Sequence, residues 1–287
     1  MSEDQKKSAS TGHDELVVSQ EQHAKITEVR GLIGQLSDKE SVYCSDASIS
    51  RYLMSRNSNV KKAAQMLKQS LKWRKEYKPE EIRWEEVADD AESGSIYRPN
   101  YQDNLISSPE TVIIVSYLAT GMKRKNENSF EIENSKSTER HVKYFVHCLE
   151  NAILNLPPHQ EQVVWLVDLE GIKMSDISFK TSREIVHVFQ NYYPKRLGLI
   201  ILFNAPVIFQ PFFKMMRPFL ETEIYNKVKF CYSDDQNSKK TLEDLFDMDK
   251  LESAFGGNGD TGFDINKYAE RMKEDDNKKE SLVTLKG

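Results

Sequence analysis

Leu197-Gly198-Leu199-Ile200-Ile201-Leu202-Phe203 is an apolar run with no polar interruption. A strand with one wet face alternates apolar with polar, so this run describes a strand buried on both faces. Asn204-Ala205-Pro206 breaks it and supplies a helix start, with Pro206 near the first helical position. The helix that follows carries Val207, Ile208, Phe209, Phe212, Phe213, Met215, Met216, Phe219 and Leu220. That is more apolar surface than one core-facing stripe needs. Either both sides of this helix are buried, or one side faces an apolar cavity or a membrane.

Charge bears on the choice. The chain holds 40 Lys+Arg against 45 Asp+Glu, a formal net charge of -5. Yet Lys195, Arg196, Lys214, Arg217, Lys227 and Lys229 surround this helix, opposed only by Glu221 and Glu223. A cationic patch beside a Phe/Met-rich helix is the composition of a surface that meets anionic headgroups. The alternative is a helix in a domain core with solvated lysines around it.

The rest of the chain reads as alternating strands and helices behind a helical start. Residues 1–20 are polar, without period, and expected to be disordered. From 21 to about 90 the pattern is helical: Ile26, Val29, Ile33 and Leu36 recur at three- and four-residue steps, as do Ala63, Ala64, Met66, Leu67 and Leu71. Ser58-Asn59 is the expected cap of the second run. Strands are expected over 111–118, 162–169, 197–203 and 227–232, with helices over 138–154 and 180–193 between them and a polar loop at 121–137. Strand–helix alternation implies a parallel or mixed sheet covered by helices. Residues 259–287 form a charged tail expected to stay outside the core. At 287 residues the chain accommodates a large α/β domain, 91–258, and the small helical module, 21–90.

Mean hydropathy is -0.63 and no stretch approaches the ~20 apolar residues of a membrane span. The start lacks the apolar core of a secretory signal, and Cys44, Cys148 and Cys231 are odd in number and scattered. Together these predict reduced thiols and a cytoplasmic protein. Catalytic readings find little support: there is no G-x-S-x-G turn, H-E-x-x-H pair or Walker loop. Residues 257–262 match G-x-G-x-x-G, but not between a strand and a helix, so an exit loop is expected there. His141, His147 and His187 read as packing or surface residues, and Asp168 with Glu170 at a strand end lacks a nucleophile or metal beside it. No catalytic residue, metal site, cofactor or nucleic-acid partner is expected.

The succession from Tyr192 to Pro206 (YYP-x-R-LG, then NAP), the Phe/Met-rich helix, Arg217–Leu220 (RPFL) and Asn226–Phe230 (NKVKF) resembles the CRAL-TRIO lipid-binding family, in its phosphatidylinositol-transfer branch from fungi and plants. Ser50–Arg56, Ala63–Leu67 and Trp73-Arg74 resemble that family's N-terminal helical module. Val164–Gly171 resembles its D-x-x-G strand end, and Ala254-Phe255-Gly256-Gly257 its closing motif. The likeness covers roughly residues 25–260 in order.

The resemblance implies an α/β fold in which a mixed or parallel sheet backs an apolar lipid cavity closed by a helical gate. Phe203, Phe209, Phe212, Phe213, Met216 and Phe219 would line cavity and gate, and Lys214, Arg217 and Lys229 would face an anionic membrane. Charge introduced at Phe212 or Phe213 is expected to spare the fold and reduce lipid transfer. The ligand implied is a phospholipid, phosphatidylinositol first, carried by a monomer that touches membranes peripherally. A lipid-sensing or scaffolding module, or a carrier of a tocopherol or retinoid, are the other readings. Arg56, Arg196 and Lys227 match the family's headgroup positions. Asn57, Lys195 and Ile224 replace a cation, an acid and a threonine there, which implies relaxed headgroup choice.

Overall fold

The computed structural model describes residues 20–92, 94–99, 112–117, 135–157, 160–173, 176–259 and 263–284. The expected disordered start and the loop at 121–137 fall almost wholly outside them. The chain divides into two compact units at Tyr77–Lys78, earlier than the boundary near 90 expected from sequence. Lys78 takes a left-handed φ of 54° and Pro79 follows, so the helical run cannot continue.

The first unit is all helical: α1 (20–33), α2 (Asp38–Tyr43), α3 (Asp46–Ser55) and α4 (Val60–Tyr77). Ser37 and Glu40 form a reciprocal capping box at α2, and Ser45 caps α3 through the Ser48 N–H. Asn59 Oδ1 accepts the Lys62 N–H at 3.0 Å, so the expected cap of α4 is present. Ile26, Val29, Ile49, Tyr52, Leu53, Ala63, Leu67 and Leu71 interlock as its core.

The second unit is built on a five-stranded sheet in chain order: β1 (Ile96–Tyr97), β2 (Val112–Tyr117), β3 (Val163–Asp168), β4 (Leu197–Phe203) and β5 (Val228–Cys231). β1 runs antiparallel to β2 and all other neighbours are parallel, which makes the sheet mixed. Helices α5 (Ala88–Ala91), α6 (Ser135–Leu154), α7 (Phe179–Tyr192), α8 (Phe209–Met216), α9 (Thr222–Asn226), α10 (Gln236–Leu245) and α11 (Ile265–Thr284) complete it. Val163 pairs with Leu197 and Val164 with Leu199, so Gly198 is the extra residue of a bulge.

β4 presents its two faces by alternation. Ile200 and Leu202 share a face with Trp165, Val167, Val228 and Phe230, and α8 covers that face. Phe203 falls on the other. It is 1 % exposed and its ring lies 5.5 Å from Phe255, so its expected place in the cavity is wrong.

The tail expectation also fails. α11 buries Tyr268, Met272, Asp275, Asp276 and Lys279. Asp275 meets Arg98 at 2.6 Å, and Asp276 accepts the Trp84 N–H at 2.7 Å. Arg271 donates to the Arg98 and Pro99 carbonyls. A helix whose inner face is charged is stable here because each charge finds a partner. The glycine motif at 257–262 has a packing origin in its described part. A Cβ at Gly257 would stand 2.0 Å from the Leu251 carbonyl oxygen, and one at Gly259 2.6 Å from that of Lys250.

His147 is fully buried on α6, where its Nε2 meets the Asn151 amide at 3.2 Å. Burial, then the nearby charges of Lys279 and Arg83, push its pKa down to about 3. The unfolded chain takes up this proton near pH 6.5 and the folded chain resists it. Stability from this group is therefore complete above pH 6.5 and is lost as pH falls toward 3. The loss is on the order of 5 kcal/mol. Urea denaturation across that range should show the slope in the wild type and a clearly shallower one in His147→Leu.

Candidate functional site

β4 and β5 are parallel, so the chain leaving Phe203 at one end of the sheet must return along its length before entering Val228. Asn204 starts that crossover at φ 49°, a left-handed conformation that Asn tolerates. Its side chain joins three strand ends, donating to Glu170 Oε2 at 3.3 Å and accepting the Ser233 N–H at 2.9 Å. Asp168 accepts the Glu170 N–H at 2.9 Å, and burial raises its pKa. Both carboxylates thus hold turns at the strand ends.

The crossover itself is α8, a 3-10 turn (Arg217–Phe219) and α9. α8 is shorter than the 207–219 helix expected. Phe209, Phe212 and Met216 point inward, 5, 7 and 4 % exposed, against Val167, Leu202 and Ala205. Phe213 is half-buried, stacked on Tyr225 and edge-on to Phe230. Apolar side chains are also exposed around α8: Val207 and Ile208 just before it, Met215 on its outer face and Phe219 in the 3-10 turn are 80, 54, 47 and 39 % exposed, beside exposed Gln210, Pro211 and Lys214. Phe212 is therefore a packing residue, and the expectation that a charge there spares the fold does not survive its burial. Lys214 and Lys229 are exposed. Arg217 is committed to its own segment, 4.1 Å over the Tyr225 ring and donating to the Leu220 carbonyl.

The far foot of the crossover is clamped by a residue the sequence reading did not single out. Gln190 on α7 donates to the Phe219 carbonyl at 3.0 Å and accepts the Glu221 N–H at 2.7 Å, pairing with backbone as a strand would. Phe179 meets Phe219 edge-on at 5.5 Å. Beside this clamp is a cleft of about 340 Å³ lined by Arg183, Glu184, Val186, His187, Gln190 and Phe219.

The cations expected at a headgroup divide between the units. Arg56 closes α3 in the first, followed by Asn57 at φ 51°, a position where lysine would be strained and asparagine is not. Arg196 and Lys227 both sit where β4 and β5 begin. Arg196 donates to the Glu161 carbonyl at 2.9 Å. Lys227 Nζ donates to the Leu197 carbonyl at 2.7 Å and to Glu223 Oε1 at 2.9 Å, while Lys195 takes Glu223 Oε2 at 2.5 Å. Burial raises the Glu223 pKa, but its two lysines outweigh that and leave it lowered. Glu223 thus places an acid beside Lys195, where the resemblance implied one at 195 itself. The four-residue step from Glu223 to Lys227 was readable, but the partner at 195 required the fold.

Among the described residues, no His/Cys/Asp/Glu group is arranged to hold a metal ion, and no helix is long and apolar enough to cross a membrane. The CRAL/TRIO domain family model matches residues 114–257, half of the chain. This chain belongs to the CRAL/TRIO family. Its relatives include the SEC14 cytosolic factors of Candida glabrata (29 % identical, covering 74 % of this chain and 70 % of that protein) and Kluyveromyces lactis (28 %, covering 83 % and 78 %). The phosphatidylinositol transfer protein PDR17 of Saccharomyces cerevisiae is 25 % identical over 68 % of this chain and 55 % of its own length. Among solved structures, that of Sfh5 shares the fold at a TM-score of 0.56 and 16 % identity, covering 78 % of this chain and 74 % of that one.

Proposed function

We propose that this CRAL/TRIO protein shelters a phospholipid, phosphatidylinositol first, between its sheet and α8 and exchanges it at membranes. α8 is the lid, the bound lipid is the only cofactor, and no chemical step is involved. One observation carries the reading: the crossover packs Phe209, Phe212 and Met216 on the sheet yet leaves Val207, Ile208, Met215 and Phe219, on α8 and at its two ends, in solvent. A crossover that only closed a core would not hold four large apolar side chains in solvent. A lid has two apolar environments to satisfy, its own cavity and a bilayer.

The energetics ask for such a device. Exposing acyl chains to water costs about 0.8 kcal/mol per CH₂, so a two-chain lipid faces a barrier of roughly 20 kcal/mol or more. Phe209, Phe212 and Met216 rest on the sheet face that acyl chains would occupy. Loading therefore requires α8 to withdraw. The exposed apolar side chains on and beside it favour that withdrawal only at a bilayer, where Lys214 and Lys229 meet anionic headgroups. The protein works as a cytoplasmic monomer that visits membranes peripherally.

The cluster at the lid's foot is the proposed headgroup site. Arg196 and Lys227 offer charge-assisted donors to a phosphate, and Glu223 is an acceptor for ring hydroxyls. With that acceptor present, selectivity for inositol is stronger than the loss of an acid at 195 implies. Lys227→Ala should weaken phosphatidylinositol loading from vesicles about tenfold, the worth of one charged hydrogen bond. Lys195 still pairs with Glu223, so the fold should stand. Loading at the wild-type level would remove Lys227 from the site.

A further inference from the structure

The strongest local charge in this acidic chain lies outside the lid and the headgroup cluster, on α4 of the first unit. α4 carries Lys61, Lys62, Lys68, Lys72, Arg74 and Lys75 against Glu76 alone. The described residues before it, 20–59, contain equal numbers of acidic and basic side chains. Helical geometry sorts these charges. Ala63, Ala64, Met66, Leu67, Ser70, Leu71 and Arg74 are buried on one side. Lys61, Gln65, Lys68, Lys72 and Lys75 recur at three- and four-residue steps along the opposite side, and all are exposed. At 1.5 Å per residue the stripe is about 21 Å long.

Little on the protein neutralises it. Lys61, Lys62 and Lys68 have no ion-pair partner among the described residues. The Lys72–Glu76 pair is 4.0 Å apart with both side chains more than two-thirds exposed, which is a weak contact in water. Like charges at i, i+3 and i+4 also destabilise a helix slightly. The fold gains nothing from this arrangement.

We infer that the exposed lysine stripe of α4 is a docking surface for an anionic lipid bilayer. The chemistry of the stripe selects this occupant. Its exposed positions hold lysines, glutamines and one glutamate, with no apolar side chain to anchor a protein partner's core. It has no exposed arginine or aromatic ring to grip phosphates bidentately or stack on bases. A bilayer needs neither. Its field acts on each lysine near the surface plane, and a straight row on one helix face brings several there at once. The inference rests on the carrier reading only for the expectation that this protein meets membranes, and it adds a contact surface separate from the lid.

The test is sedimentation of the full chain with vesicles of phosphatidylcholine and phosphatidylserine, comparing wild type with Lys61→Gln/Lys68→Gln/Lys72→Gln. All three positions are exposed, so the variant should fold, which circular dichroism checks. Each lysine near an anionic surface is worth about fivefold in affinity, so the triple variant should bind about 100-fold more weakly. Wild-type binding should also fall steeply as salt is raised. Equal binding by both proteins, or wild-type binding indifferent to salt, would overturn the proposal, and stripe-dependent capture of an acidic protein with vesicle binding unchanged would assign the surface to that partner instead. Failure here is separable from failure of the carrier reading. The latter shows as normal lipid transfer by a lid variant, a different protein and a different measurement.

Discussion

Ile208→Asp combined with Met215→Asp should reduce lipid transfer between vesicles about 100-fold while leaving the melting curve nearly unchanged. Ile208 just before α8 and Met215 on its outer face are about half exposed, at 54 and 47 %. Replacing them removes little packed contact, and surface changes of this kind stay within about 0.5 kcal/mol. At a bilayer the two positions enter an apolar phase. There each loses roughly 1.5–3 kcal/mol of burial and adds a charge that must be solvated. Phe212→Asp is the contrasting variant. At 7 % exposure in the cluster under α8 it places a carboxylate where no partner is available, so stability should fall along with transfer. Normal transfer by the stable double variant would show that α8 is not the part that enters the membrane.

Asp275→Ala should destabilise the protein by about 3–5 kcal/mol, because it strands a buried cation. Asp275 is 1 % exposed, and its carboxylate takes Arg98 Nη2 at 2.6 Å, Lys278 Nζ at 2.9 Å and the Asn155 amide at 3.0 Å. Arg98 is itself 5 % exposed and has no other acid within ion-pair reach among the described residues. Arg98→Met with Asp275→Leu should recover most of the loss, since neither charge then remains to be desolvated. Urea unfolding of the three proteins checks this. Equal stability of Asp275→Ala and wild type would mean that α11 contributes little to the fold.

Where the sequence pattern was apolar, the expected elements are present. The run at 197–203, the strands at 112–117, 163–168 and 228–231, and helices α6 and α7 all follow from periodicity. Where the buried face was polar, the sequence was misleading. Tyr268, Met272, Asp275, Asp276 and Lys279 recur at helical spacing, but charges on that face read as solvated until their partners were visible, far upstream at Trp84 and Arg98. β1 has two residues, too few for alternation to register. Phe203 is a different case. Its parity with Ile201 rather than Leu202 was readable, and the strand's alternation alone would have placed it away from the lid. At the candidate site the lid's composition was legible, because the large apolar residues over 207–220 are more than one buried stripe needs. The Glu223–Lys195 pair and the Gln190 clamp were not legible, since each joins segments about 30 residues apart that only the crossover brings near.

The central claim is that a lipid occupies the space between the sheet and α8. Solvent extraction of the purified full chain, followed by mass spectrometry, tests it most directly. The account predicts a phospholipid near one equivalent per chain, with phosphatidylinositol prominent, and much less on Lys227→Ala. Protein that carries no lipid, and takes none from vesicles containing phosphatidylinositol, would contradict it.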